Sequence, residues 1–138
     1  MKVKIRQYGK PVEVEVDVVP LAEGFKVVNA TLTDMVFDDG LVIPGCDHLF
    51  NRLFKATVHE RAVVDTGNYQ VFTRDICAGV VNMQVLDEVL KQFPADVFIL
   101  ASAKTMIAFK HPRVICPDRN QDRTLTGTFE RCVDCYDY

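Results

Sequence analysis

Nowhere in the 138 residues is there a run of 18 apolar positions, which excludes a membrane-spanning helix. The opening stretch, MKVKIRQYGK, lacks the hydrophobic core of a secretory leader, so a cytoplasmic location is expected. A basic excess is missing too. The chain carries 16 Lys and Arg against 19 Asp and Glu, for a net charge of −3, and this balance excludes a dedicated binder of duplex nucleic acid. Five cysteines cannot form a complete set of internal disulfides, and in a cytosol they are expected as reduced thiols.

Catalytic signatures are equally scarce. Seven glycines are scattered singly, with no G-x-x-x-x-G-K-[ST], G-x-G-x-x-G or G-x-S-x-G among them. After His59-Glu60 come Arg61, Ala62 and Val63, so the H-E-x-x-H zinc helix is absent. The H-x-E and P-C-x-x-C pair of zinc deaminases is absent as well. Cys46 and His48 stand two apart, which turns them to different sides of a helix. These absences favour a protein that is not an enzyme.

What is present describes a folded chain. An apolar share of 49% with 25% charged residues is ordinary for a globular protein, and the length fits one domain over 1–138. Residues 2–19 alternate around Gly9-Lys10, with Val3, Ile5, Val12, Val14, Val16 and Val18 on one face. Period-two alternation marks half-buried strands. Pairs summing to 19 would set Arg6 against Glu13, Lys4 against Glu15 and Lys2 against Asp17. FKVVNATL reads as a third strand, and MVF and LVI as a hairpin around Asp38-Asp39-Gly40. In CDHLFNRLFK, Asp47 can cap a short helix whose stripe is Leu49, Phe50, Leu53 and Phe54. TVHERAVVD and YQVFTRD flank Thr66-Gly67-Asn68. Pairs summing to 134 place Glu60 against Arg74 and His59 against Asp75.

The second half changes period. Asn82 can cap a helix through MQVLDEVLKQF, with Val85, Leu86, Val89, Leu90 and Phe93 as its stripe and Pro94 as its stop. Asp87 and Lys91 stand at the i,i+4 spacing of an ion pair. DVFILA reads as a strand covered on both faces. Ser102 can cap AKTMIAF, and RVIC can close a parallel strand–helix–strand unit. The expected fold is α+β, with a mostly antiparallel sheet built from N-terminal hairpins and two to three short helices packed on one face.

Two clusters could carry chemistry. His111, Cys116, Cys132 and Cys135 give H-x4-C-x15-C-x2-C, a candidate zinc set of borderline and soft ligands. Its first pair is looser than a zinc knuckle. The flanking Glu130, Asp134 and Asp137 raise thiol pKa values, which argues against a reactive C-x-x-C. The second cluster is a strip of Lys110, Arg113, Arg119, Asn120 and Arg123, stiffened by Pro112 and Pro117. Guanidinium forks suit phosphate or carboxylate, and loops on a rigid scaffold often carry binding residues.

The leading expectation is therefore a non-catalytic, cofactor-free protein that binds a nucleotide-like anion. Tyr69, Phe72, Phe98 or Phe109 are candidates to stack on a base. Sequestration of a signalling nucleotide, as in some virus-encoded cytosolic proteins, is the matching role. A homo-oligomer is expected, because sheet edges invite pairing with a second copy. The alternatives are an inhibitor or immunity-type module presenting Glu13, Glu15 and Asp17 to a basic partner, and a zinc-stabilised domain.

Overall fold

The computed structural model describes residues 1–7 and 9–132. Its fold class is α+β. Strands β1 (Lys2–Gln7) and β2 (Lys10–Glu15) form the first hairpin. Val3, Ile5 and Val14 are buried while the charged residues between them face water. The observed pairs sum to 17, with Lys2 opposite Glu15 and Lys4 opposite Glu13. The register therefore differs by two residues from the one expected, and Asp17 lies beyond the hairpin. A slip of two preserves the buried face, so the apolar pattern alone does not separate the two registers. The turn decides, because Gly9 takes a φ of 77° at no steric cost.

The chain then enters a second sheet. Strands β3 (Val18–Ala22) and β4 (Phe25–Asn29) form a hairpin. Two short strands, β5 (Met35–Val36) and β6 (Val42–Ile43), pair around Asp38-Asp39-Gly40 as the turn residues require. Helix α1 (His48–Asn51) starts where Asp47 Oδ1 accepts the Leu49 N–H at 2.8 Å, and it tightens into a 3-10 turn over Arg52–Phe54. Phe50, Leu53 and Phe54 are buried, as their spacing demands.

Strands β7 (Thr57–Asp65) and β8 (Gln70–Cys77) form a separate ribbon. Its pairs sum to 134 from Thr57 through Ala62, with Glu60 opposite Arg74 and His59 opposite Asp75. The Arg74 Nε to Glu60 Oε1 distance is 2.7 Å. A bulge between Ala62 and Val64 shifts the last pairs by one, so the loop spans 66–69.

Helix α2 (Val80–Leu90) begins earlier than Asn82, from an N-cap position held by Gly79 without a side-chain bond. Leu86, Val89, Leu90 and Phe93 are buried. Asp87 lies nearest His111, not Lys91. Strand β9 (Val97–Leu100), helix α3 (Ala103–Phe109) and strand β10 (Val114–Arg119) form the parallel crossover unit. Ser102 Oγ caps α3 by accepting the Thr105 N–H. A further strand absent from the sequence reading, β11 (Leu125–Arg131), returns antiparallel along β10.

The five-stranded sheet runs β11-β10-β9-β4-β3. Its centre is parallel, β4 with β9 and β9 with β10, and its margins are antiparallel. One face, with Val28, Ile99 and Val114, packs against the helices and the first hairpin. The other, with Val27, Leu100 and Ile115, packs against Met35, Phe37 and Ile43 of the β5–β6 hairpin. DVFILA is continuously apolar because β9 lies between these two cores. Among the described residues, no helix is long and apolar enough to cross a membrane.

Candidate functional site

Strand β10 divides the arginine strip. Lys110, His111 and Arg113 precede it, while Arg119, Asn120 and Arg123 lie at its far end. Six residue steps, mostly of strand, separate Arg113 from Arg119 by about 20 Å.

At the near end, Lys110 closes α3 with a φ of 49°, its N–H donating to Met106 O at 3.1 Å. The Arg113 guanidinium is directed at main-chain carbonyls. Nε donates to Val97 O (3.0 Å), Nη1 to Leu90 O (3.2 Å) and Nη2 to Pro94 O (2.7 Å). This fork joins the end of α2 to the start of β9.

His111 sits in the same corner. Its Nδ1 accepts the Arg113 N–H at 3.1 Å, and its Nε2 lies 3.8 Å from Asp87 Oδ1. Burial pulls the imidazole pKa below its ordinary 6.5; Asp87 opposes this and Arg113 adds to it. Burial outweighs Asp87 because that carboxylate is largely exposed and water screens it. The folded state thus binds the proton less readily than the unfolded one. The stability gained from neutral His111 is complete above pH 6.5 and declines as pH falls through and below that value. His111→Gln is expected to flatten this decline, read as urea midpoints across a pH series. A slope unchanged by the substitution would assign the acid sensitivity elsewhere.

The candidate zinc ligands are dispersed. Cys116 pairs across the ladder with Glu130, and its thiol is half-buried, with burial raising its pKa. Cys132 is buried and disulfide-bonded, so it is not the reduced thiol expected. Cys135 lies outside the described residues. Among the described residues, no group of three His, Cys, Asp or Glu side chains could hold a metal ion. Cys46 is not an activated nucleophile: burial pushes its pKa up to about 11, which keeps the thiol protonated at neutral pH.

The far end of the strip opens onto a cleft of about 730 Å³, lined by Thr33, Asp34, Val36, Arg119, Asp122, Arg123 and Thr124. The β10–β11 turn forms one wall and is held by its own bonds. Asn120 N–H donates to Thr124 O (2.8 Å), and Arg123 N–H donates to Asn120 O (3.0 Å). Asn120 Nδ2 donates to Thr124 Oγ1 (3.0 Å), and Arg119 Nη1 to Arg123 O (3.1 Å). Asp122 Oδ1 accepts from both Thr124 N and Oγ1, which holds its carboxyl below the usual range. Arg123 takes a φ of 71°, a left-handed conformation that non-glycine residues seldom adopt.

The opposite wall, Thr33 and Asp34, is fixed from behind. Asn29 is 2% exposed. Its Nδ2 donates to Thr33 O (2.8 Å) and Ile43 O (3.3 Å), and its Oδ1 accepts from Thr31 N (2.9 Å) and Thr31 Oγ1 (2.6 Å). Asp34 Oδ1 accepts the Gly45 N–H at 2.9 Å. A Cβ on Gly45 would lie 2.5 Å from Leu32 O, so only glycine lets these two segments close up.

Of the five residues grouped from the sequence, Arg119, Asn120 and Arg123 lie together at the β10–β11 turn, while Lys110 and Arg113 lie at the other end of β10. It gave no sign that Thr33 and Asp34, more than 80 positions earlier, would face them. Of the aromatic candidates, Phe109 is buried, Phe98 stacks on Phe25 at 5.2 Å, and Tyr69 and Phe72 lie on the β7–β8 ribbon. None of the four lines the cleft. In comparisons with known proteins, no family model matches the chain, and neither does any curated protein or solved structure.

Proposed function

We propose that the protein is a non-catalytic binding protein that holds a compact, nucleotide-like anion in the cleft between the β10–β11 turn and residues 33–36. The observation carrying this reading is the pairing of Arg119 and Arg123 on one rigid turn at the cleft wall. Neither forms an ion pair with a carboxylate among the described residues. Two unneutralised guanidinium groups on a preformed turn suit a phosphate or carboxylate, and little side-chain or loop order has to be created on binding.

Asp34 and Asp122 balance the arginines in formal charge. Affinity must therefore come from contact with the forks, not from a long-range field. Each of the two carboxylates already accepts a bond from the main chain, which turns part of its charge away from a ligand. Sequestration of a signalling nucleotide is the role this reading supports.

Thermal shifts across a panel of nucleotides test the reading. A ligand at a hundred times its dissociation constant is expected to add about 2.7 kcal/mol. Combined Arg119→Gln and Arg123→Gln should abolish the shift while leaving the unliganded melting temperature nearly unchanged. Shifts that persist undiminished in that double variant would remove the cleft from consideration. A second reading, a protein–protein module, is favoured by the exposed charges at Glu13 and Asp17, and it predicts salt-sensitive capture of a basic partner.

A further inference from the structure

Apart from Met1 and Val81, the large apolar side chains that remain exposed among the described residues gather in two places. Six lie on the β7–β8 ribbon: Val58, Val63, Val64, Tyr69, Val71 and Phe72, with Tyr69 79% exposed and Phe72 51%. Every residue of β7 is exposed, although a two-stranded hairpin standing alone is marginally stable in water. The second group is Leu32, Val36, Leu41 and Val42, on and beside the β5–β6 hairpin.

We propose that the β7–β8 ribbon is an arm that docks on the β5–β6 face of a second copy of this chain, reciprocally, so that two copies exchange arms. Charge complementarity argues for this pairing. Arg61, beside the apolar end of β7, has no ion pair among the described residues. The β5–β6 turn presents Asp38 and Asp39, both exposed, next to Leu41 and Val42. On the arm itself, Glu60 and Arg74 already neutralise each other, so the ribbon has no single-sign field that would select a strongly charged foreign partner.

Area points the same way. A nine-residue ribbon is about 30 Å long and two strands about 10 Å wide, so one face offers roughly 300 Å². Stable interfaces use about 800 Å² per partner. A single docked arm falls well short of this, whereas reciprocal exchange engages both the arm and the receiving face of every copy, roughly 600 Å² per partner and the lower end of the stable range. The proposal does not rest on the anion reading: Arg119 and Arg123 take no part in it, although Val36 belongs both to the receiving face and to the cleft wall.

Size-exclusion chromatography with light scattering provides the test. The wild type is expected at twice the chain mass. Val64→Asp with Phe72→Asp on the arm, and separately Leu41→Asp with Val42→Asp on the receiving face, should each halve it. All four side chains are already at least 40% exposed, and circular dichroism checks that both variants stay folded. An equimolar mixture of the two variants should stay monomeric, because only one intact arm then meets an intact face and a single docked arm is too small to hold a dimer. A monomeric wild type, or a dimer that survives either pair of substitutions, overturns the proposal. A mixture that dimerises like the wild type overturns the reciprocal exchange, since one docked arm would then suffice. Loss of the dimer with nucleotide shifts retained, or the reverse, separates this result from the fate of the cleft.

Discussion

Asn29→Leu is expected to cost about 3–4 kcal/mol, because it strips a buried hub of its partners and leaves them without replacements. The side chain makes four bonds from a position 2% exposed. Leucine matches it in size but returns none of them. Thr31 N then loses this partner, Thr33 O keeps only the Thr31 hydroxyl, and the amide link from Asn29 to Ile43 O is gone. Urea denaturation reads the loss as a lower midpoint. Because Thr33 and Asp34 form a wall of the cleft, nucleotide shifts should weaken along with stability. Asn29→Asp separates geometry from polarity. It keeps the acceptor for Thr31 but sets a carboxylate oxygen against two carbonyls. Burial and that repulsion would raise the new carboxyl's pKa. The protonated form can donate again, so this variant should regain stability as pH falls. A midpoint within experimental error of the wild type for Asn29→Leu would show that water replaces the network at no cost.

Asn29 also marks where reading the sequence stops working. FKVVNATL looks like an uninterrupted strand, yet β4 ends at Asn29 and the residues after it wrap around its amide. Nothing local distinguishes a strand-terminal asparagine from an exposed one. The β7–β8 register, by contrast, was legible to the residue over its lower part, because the Thr66-Gly67-Asn68 turn pointed to an alignment that also set Glu60 against Arg74. The first hairpin had the same kind of charge ladder, but both candidate registers satisfied it: Lys4 meets an acid whether the pairs sum to 17 or to 19. Strand β3 was hidden by Pro20, which the fold tolerates because β3 is an edge. Pro117 similarly masked β10, whose pairing with β9 stops at Ile115 and leaves the proline where no donor is needed on that side. With β10 shortened and β11 unseen, residues 110–123 looked like one continuous strip. The strand between its ends is what splits the arginines into two groups.

Arg113→Ala follows from that division and is expected to cost about 2–3 kcal/mol, since charge-assisted bonds to partly buried carbonyls are among the stronger ones. Three acceptors lose their donor at once: the last residue of α2, the α2–β9 connection and the first residue of β9. Leu90 O lies at a helix carboxyl end, where a cation adds a favourable interaction with the dipole. Burial lowers the Arg113 pKa and Asp96 opposes that change, but no accessible pH discharges a guanidinium, so the fork is a permanent brace. Arg113→Lys should recover less than half of the loss, because one ammonium on a flexible stem cannot hold three divergent carbonyls. The melting temperature is expected to fall by roughly 10 °C in the alanine variant. The nucleotide shift, measured from each variant's own baseline, should remain. Combined Arg119→Gln and Arg123→Gln should show the opposite pattern, an unchanged baseline and no shift. Carbonyl acceptors are common to every residue, so no side chain announces that an arginine will be used in this way. If Arg113→Ala kept its stability and lost nucleotide binding, the fork would be a ligand contact, and the division drawn at β10 would be wrong.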